Sequence, residues 1–251
     1  MTPVEYKISL SGRLPFWFRF RFFISRYPAV YQPYSRWRYP RQTVDPSKVL
    51  LIEGFCRSAS SFAAECFRHA NGFDVKLAWN MHAPGAVVYA KEQGIPVLLM
   101  IRKPKDTVIS TKLMNPALPF KVILTQYIGY YKFLYRCRDH MVVATRDQVN
   151  EDFGHVIERL NRRFAREFKV FDHTPQNHQM VLDYMAGKVN ENFGESWTDS
   201  VRKTISWPTE DKAQMRAPLV LEYNESEELQ NLEQEAEKIF ATYTELSLKE
   251  F

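Results

Sequence analysis

The sequence is poor in cysteine and lacks long apolar runs. Its three cysteines among 251 residues are too few and too scattered for a disulfide framework, and none forms a CxxC metal-binding pair. The most apolar stretch, residues 14–24, is interrupted by Arg19 and Arg21 and falls short of the roughly 20 residues that cross a membrane. It also lacks the order of a signal peptide. We therefore expect reduced cysteines, no metal ion and a soluble cytoplasmic protein.

Acidic residues are absent from residues 12–42, which carry seven arginines and eleven aromatic residues. These aromatics could cover the flank of a core while the arginines reach solvent, or the segment could lie on a membrane surface or bind an acidic partner. Nucleic acid is not expected as a partner because no reader motif accompanies the segment. Pro28, Pro33 and Pro40 exclude one long helix. We predict an irregular basic and aromatic arm over residues 1–48, with peripheral membrane contact through residues 12–42 as an alternative to a purely cytoplasmic location.

Strands and helices alternate after residue 48. Short apolar runs predict strands at residues 49–52, 75–78, 97–101 and 141–144, the first buried on both faces. Helical spacing predicts helices over residues 61–70, 104–114, 120–136, 155–168 and 229–246. Such an order predicts an α/β domain over residues 49–251, with a three-layer P-loop-like fold and a central, mostly parallel sheet flanked by helices.

A loop of small residues, 54–61, separates the first predicted strand from its helix. Backbone N–H groups and the positive end of the helix converge there, so the loop is a candidate anion site. Arg57 adds positive charge, and hydroxyl donors come from Ser58, Ser60 and Ser61.

This loop departs from the Walker pattern GxxxxGK[ST], because Ala59 and Ser60 replace its second glycine and its lysine. Without that lysine, a kinase would lack the cation that reaches the β and γ phosphates. The loop therefore suits a single phosphate, although a serine-rich turn can also be purely structural.

Residues 102–110, RKPKDTVIS, closely resemble the RNPKDxxxS element of sulfotransferases. In that family the arginine and the serine bind the 3′-phosphate of the donor, 3′-phosphoadenosine 5′-phosphosulfate (PAPS). The resemblance assigns these roles to Arg102 and Ser110. An arginine leaving a sheet and a serine on the next helix can close on one phosphate from two sides. The alternative is an Arg102 that pairs with a neighbouring carboxylate.

Other segments resemble the same family in the same order. Residues 57–62, RSASSF, are similar to its 5′-phosphosulfate loop, PKSGTTW or PRSGTT, which implies donor contacts from Arg57 through Phe62 and makes Ala59 and Phe62 departures from the pattern. Residues 80–84, NMHAP, are similar to the KTHLP element that carries the catalytic base, which implies that role for His82. The resemblance covers residues 49–168. The family's late RKG…GxWK element also binds the 3′-phosphate. Only its basic pair remains here, Arg202 and Lys203, which implies donor binding by these two residues; the alternative is a solvated basic pair.

The resemblance implies transfer of a sulfuryl group from PAPS to a hydroxyl or amine of a small-molecule, glycan or lipid acceptor. Arg57 and the serines would stabilise the leaving phosphate, and His82 would accept the proton of the acceptor. Two alternatives stay open. One is a noncatalytic nucleotide-binding or scaffold protein on the same fold, and the other is a P-loop small-molecule kinase, which would require magnesium and ATP.

Overall fold

The computed structural model describes residues 15–193, residue 205 and residues 210–249. A parallel sheet of four strands lies at its centre, in the order β2-β1-β3-β4. The strands are β1 Leu50–Gly54, β2 Leu77–Trp79, β3 Val97–Ile101 and β4 Val142–Thr145. Almost every strand residue is buried, which explains why these segments are continuous apolar runs and do not alternate with polar residues.

Helices connect and flank the strands. They are α1 Pro15–Ile24, α2 Pro28–Arg38, α3 Ser60–Asn71, α4 Pro84–Glu92, α5 Pro104–Met114, α6 Phe120–Leu134, α7 Arg146–Glu151, α8 Phe153–Phe164, α9 Pro175–Phe193, α10 Glu210–Asn224 and α11 Gln230–Ser247. Short 3₁₀ segments at Tyr135–His140 and Glu227–Leu229 follow α6 and precede α11. Five of these helices begin with proline, whose missing N–H is not needed in the first turn.

Two apolar clusters cover the two faces of the sheet. Alternate strand residues such as Leu51 and Leu99 pack with α4, α5, α6 and α11 on one face. Their neighbours Leu50 and Leu98 pack with α3, α8 and α9 on the other. These three layers confirm the predicted α/β fold with a central parallel sheet flanked by helices.

Residues 15–24 and 28–38 of the N-terminal segment are helical, so the prediction of an irregular arm is wrong for the part of it that the structure describes. Helix α1 ends at Ile24 and α2 begins at Pro28, so the segment does not form one long helix, as the prolines predicted. Pro33, however, lies inside α2 at an exposed position. Pro33 removes one backbone hydrogen bond, which packing offsets, because Phe22 and Tyr31 join the first apolar cluster. Phe22 and Tyr31 therefore cover the flank of the core, whereas Phe23, Tyr27 and Trp37 of the same segment are exposed. Among the described residues, no helix has the length and apolar character needed to cross a bilayer.

The strand order brings β1 and β3 side by side, with Gly54 opposite Met100. The chain continues from β1 to β2 on one side and reaches β3 on the other, which makes the carboxyl ends of β1 and β3 a topological switch point. Ligands of open α/β sheets bind in such crevices. The loop after β1 and the segment that begins with Arg102 both start there.

A candidate anion-binding site at the carboxyl ends of β1 and β3

The loop between β1 and α3 has a strained backbone. Five non-glycine residues of the described chain have a positive φ, and four of them, Arg57, Ala59, Asn80 and His82, lie in the loops after β1 and β2. Each such residue costs roughly 1–2 kcal/mol relative to a right-handed conformation. Strain of this kind concentrates at functional sites because only surrounding contacts maintain it.

Close packing at the start of the loop requires glycine. A Cβ atom on Gly54 would lie 2.4 Å from Ser58 Oγ and 2.6 Å from the carbonyl oxygen of Met100. At the end of the loop, Ala59 precedes α3 and provides no side-chain cap. The N–H groups in the first turn of α3 therefore have no hydrogen bond from an N-cap side chain.

Asn80 holds the two serines that open α3. Ser60 Oγ donates to Asn80 Oδ1 at 2.8 Å, and Asn80 Nδ2 donates to Ser61 Oγ at 2.9 Å. The neighbouring Ser58 Oγ is buried and has no hydrogen-bond partner among the residues that the structure describes. A buried hydroxyl without a partner costs about 1–3 kcal/mol, so Ser58 Oγ is a candidate donor to an anion bound at this loop.

The two predicted anion-binding segments meet directly. Arg57 Nε donates to Ser110 Oγ on α5 at 2.9 Å, and an Arg102 Nη atom donates to the carbonyl oxygen of Arg57 at 3.2 Å. Arg57 also donates to the carbonyl oxygen of Ile205 at 2.7 Å. In the described part of the chain, nothing hydrogen-bonds the buried Nε atom of Arg102. Arg57, Arg102 and Ser110 thus form one cluster.

Two cations of α10, Lys212 and Arg216, join this cluster. Lys212 is only 6% exposed, and its Nζ donates to the carbonyl oxygen of Ile205. Arg216 forms a 2.9 Å ion pair with Asp106 on α5. Neither residue could be predicted from the sequence, because both lie outside every recognised motif.

Burial and mutual repulsion perturb the cations of the cluster. Burial first, and then repulsion from Arg57, Arg102 and Arg216, lowers the pKa of Lys212 to about 7. Burial lowers the pKa of Arg102 to about 9 and that of Arg57 to about 10, so both guanidinium groups remain charged at neutral pH. Crowding of buried like charges is unfavourable unless an anion compensates it, and the orphaned Arg102 Nε and Ser58 Oγ fit a bound phosphate as donors.

His82 lies beside the first residues of the loop. Its Nδ1 atom is 2.8 Å from the carbonyl oxygen of Gly54, and because a carbonyl can only accept, Nδ1 carries the proton and Nε2 is unprotonated. Burial, together with the positive charges of Arg21 and Arg57, lowers the pKa of His82 to about 4. The side chain is 22% exposed. At neutral pH His82 is therefore an uncharged imidazole that can accept a proton at Nε2.

A buried carboxyl group, Glu53, supports this loop. It accepts hydrogen bonds from the N–H groups of Gly54 at 3.0 Å and Met81 at 3.1 Å, and from the Tyr130 hydroxyl at 3.3 Å. Burial raises the pKa of Glu53 to about 8 despite these donors. Its Oε1 atom is 3.8 Å from His82 Nδ1, beyond hydrogen-bonding distance, and since both groups are neutral at pH 7 they do not form an ion pair. Glu53 was not predicted as a site residue because it lies within an apolar strand.

The remaining predicted residues lie apart from this cluster or outside the described chain. Phe62, in the first turn of α3, is 6% exposed and packs in the second apolar cluster, with its ring centroid 5.0 Å from that of His178. Arg202 and Lys203 lie outside the described residues. The other predicted residues surround the carboxyl ends of β1 and β3, and their roles in binding and catalysis stay predictions: Arg57, Ser58, Ala59, Ser60, Ser61, His82, Arg102 and Ser110.

Comparison with known proteins gives little sequence similarity. No protein-family model matches the chain, and no curated protein is similar to it in sequence. Among solved structures, mouse sulfotransferase SULT7A1 complexed with PAP is similar, with a TM-score of 0.38 and 10% identity. The match covers 76% of this chain and 90% of the mouse chain. A likeness of this extent does not assign an activity.

Proposed function

We propose that this protein binds PAPS and transfers its sulfuryl group to a hydroxyl or amine of an acceptor. One observation carries the proposal. The arginine of the loop after β1 and the arginine and serine of the segment after β3 contact one another, at 2.9 Å between Arg57 and Ser110 and 3.2 Å between Arg102 and the Arg57 backbone. A nucleotide with phosphates on both sides of its ribose matches two adjoining anion sites of this kind.

The 3′-phosphate would be held by Arg102 and Ser110. Lys212 and Arg216 add positive charge on the same side. A phosphate beside Lys212 would favour its protonated form and so raise its lowered pKa.

The 5′-phosphosulfate would lie at the start of α3. The N–H groups of the first turn and the hydroxyls of Ser60 and Ser61, held by Asn80, are its donors. Arg57 lies between the two phosphates and contributes fixed positive charge.

The transfer step makes one bond and breaks another. The acceptor oxygen or nitrogen attacks sulfur, and the bond between sulfur and the bridging oxygen of the 5′-phosphate breaks, so that negative charge accumulates on the leaving phosphate. Arg57 stabilises that charge electrostatically, because a guanidinium does not readily give up a proton. The proton of the acceptor passes to His82 Nε2. Burial is the main cause of the lowered pKa of His82, and repulsion from Arg57 adds to it. Negative charge near Arg57 weakens that repulsion, which makes the imidazole a better base when the donor is bound.

Calorimetric titration with adenosine 3′,5′-bisphosphate and, separately, with ATP tests the binding part of this proposal. We expect the bisphosphate to bind with a Kd near micromolar and ATP to bind at least tenfold more weakly. Arg102→Ala should weaken bisphosphate binding about tenfold or more, because a charge-assisted hydrogen bond contributes roughly 1.5–3 kcal/mol.

Arg138→Ala is the matched control, since Arg138 is exposed in the 3₁₀ segment after α6, and it should leave the Kd unchanged. Equal affinity for ATP, or no effect of Arg102→Ala, would contradict the proposal. Transfer of radiolabelled sulfate from PAPS to a panel of hydroxyl and amine acceptors then tests the chemistry. Tight bisphosphate binding without transfer to any acceptor would instead indicate a noncatalytic nucleotide-binding protein.

A further inference from the structure

The outer faces of α1 and α2 expose large apolar side chains. Phe23 is 54% exposed, Tyr27 50%, Val30 57% and Trp37 78%. The rings form local contacts with one another, with centroids 5.5 Å apart for Phe23 and Tyr27. Single exposed apolar residues are ordinary on protein surfaces. Here the exposed rings occur in contacting pairs, Phe23 with Tyr27 and Tyr34 with Trp37, and such a concentration of apolar side chains is typical of an interaction surface.

The charge of the same faces is of one sign. No acidic residue occurs between residues 12 and 42. Arg19 on α1 and Arg36 and Arg38 on α2 are exposed, as is Arg41 in the loop directly after α2. Two other arginines of the segment contact the protein itself. Arg21 donates to the Met81 carbonyl oxygen at 3.3 Å, and the Arg26 guanidinium lies 4.8 Å from the centroid of the Phe22 ring. The outer faces therefore combine aromatic rings with excess positive charge.

A lipid bilayer with anionic headgroups is the partner that matches both properties. Aromatic rings and arginine stems insert at the boundary between headgroups and acyl chains, while guanidinium groups stay with the phosphates. The helices have 10 and 11 residues, about 15 Å of length, so they can lie in the interface but cannot span a bilayer. A second copy of this chain is a poorer partner, because two such faces would bring arginines against arginines.

We propose that the outer faces of α1 and α2 dock the protein on membranes that contain anionic lipids. Each arginine near such a surface adds about fivefold to the affinity. The Phe23, Tyr27 and Trp37 rings provide the apolar part of the contact. This inference does not depend on the proposed transfer activity.

Co-sedimentation of the full chain with vesicles tests the proposal. The vesicles contain either phosphatidylcholine alone or phosphatidylcholine with about one third phosphatidylserine. We expect binding to the anionic vesicles, weakening as salt rises from 0.1 to 0.5 M. The double variant Phe23→Ser/Trp37→Ser and the double variant Arg38→Gln/Arg41→Gln should each lower the affinity at least tenfold.

Matched controls come from exposed residues elsewhere in the chain. Leu221→Ser on α10 removes an apolar side chain that is 61% exposed, and Arg166→Gln/Lys169→Gln removes two exposed cations after α8. Both should bind vesicles as the parent does. No binding to anionic vesicles, equal binding to neutral ones, or parent-like binding by the arm variants overturns the proposal. If light scattering shows a dimer that Phe23→Ser/Trp37→Ser converts to a monomer, without vesicle binding, the faces join two copies and the proposal is wrong.

Discussion

Replacing Lys212 by methionine tests whether the cations of the site are crowded in the absence of a ligand. Lys212 is 6% exposed, and burial among three arginines lowers its pKa from 10.5 to about 7. Below pH 7 the folded and unfolded chains both carry the proton, and the folded chain bears the full cost of the buried charge. That cost corresponds to roughly 5 kcal/mol. Between pH 7 and 10.5 the unfolded chain binds more protons than the folded one, so stability rises with pH.

Methionine keeps the length and apolar character of the side chain but cannot titrate. We therefore expect Lys212→Met to be more stable than the parent at pH 6, and the difference in the free energy of unfolding to shrink by roughly 3 kcal/mol between pH 6 and 9.5. Urea titrations at five or six pH values, followed by circular dichroism, measure this difference. The change with pH isolates the charge, because altered packing or the lost hydrogen bond to Ile205 contributes nearly the same amount at every pH.

Lys238→Met on the exposed surface of α11 is the control, and its difference from the parent should not change with pH. A constant difference for Lys212→Met as well would refute the reasoning that burial and repulsion from the neighbouring arginines lower the pKa of Lys212.

Three further predictions concern the loop, the base and the buried carboxyl. Ala59 and Ala165 both have a left-handed backbone conformation, which glycine adopts without strain. Ala59→Gly and, for comparison, Ala165→Gly should therefore each raise the free energy of unfolding by about 1 kcal/mol in urea titrations. A lower free energy of unfolding for either variant contradicts the strain argument. His82→Ala should cut turnover at least a hundredfold while bisphosphate affinity stays the same; surviving turnover places the base elsewhere. The pKa of Glu53 is about 8 in the folded chain and 4.5 for a free carboxyl, so the free energy of unfolding falls as pH rises from 4.5 to 8. Glu53→Gln should flatten that decline in unfolding experiments between pH 4 and 9. An unchanged decline refutes burial of Glu53 as its cause.

The layered fold could be predicted because both-face burial leaves a simple signal in the sequence. The strand predicted at residues 97–101 and the helix predicted at 104–114 coincide with β3 and α5, since a proline and a continuous apolar run mark their ends. Helices α9 and α10 were not predicted, because they lack a clear apolar stripe and pack by a few residues such as Val181 and Met185. The helical arm was misjudged because proline is tolerated at an exposed position within α2.

The site divides in the same way. Arg57, Arg102 and Ser110 belong to contiguous motifs, so their positions relative to strand ends could be predicted. Lys212 reaches them from 110 residues further along the chain than Arg102, and no local pattern encodes such a contact. Glu53 was missed for a different reason: a carboxyl group in a buried strand is unfavourable by composition alone, and only the three donors around it account for its presence.

Pairing of β1 with β3 fixes how far apart the two loops that we propose to bind phosphate begin. Backbone hydrogen bonds set that interval at roughly 4.8 Å between strands, and no side-chain replacement alters it. Substitutions in the loops can raise or lower the affinity of this site for anions in general. Selectivity for ligands with a particular distance between two anionic groups depends instead on the sheet. We expect this selectivity to persist when many residues of the loops are replaced.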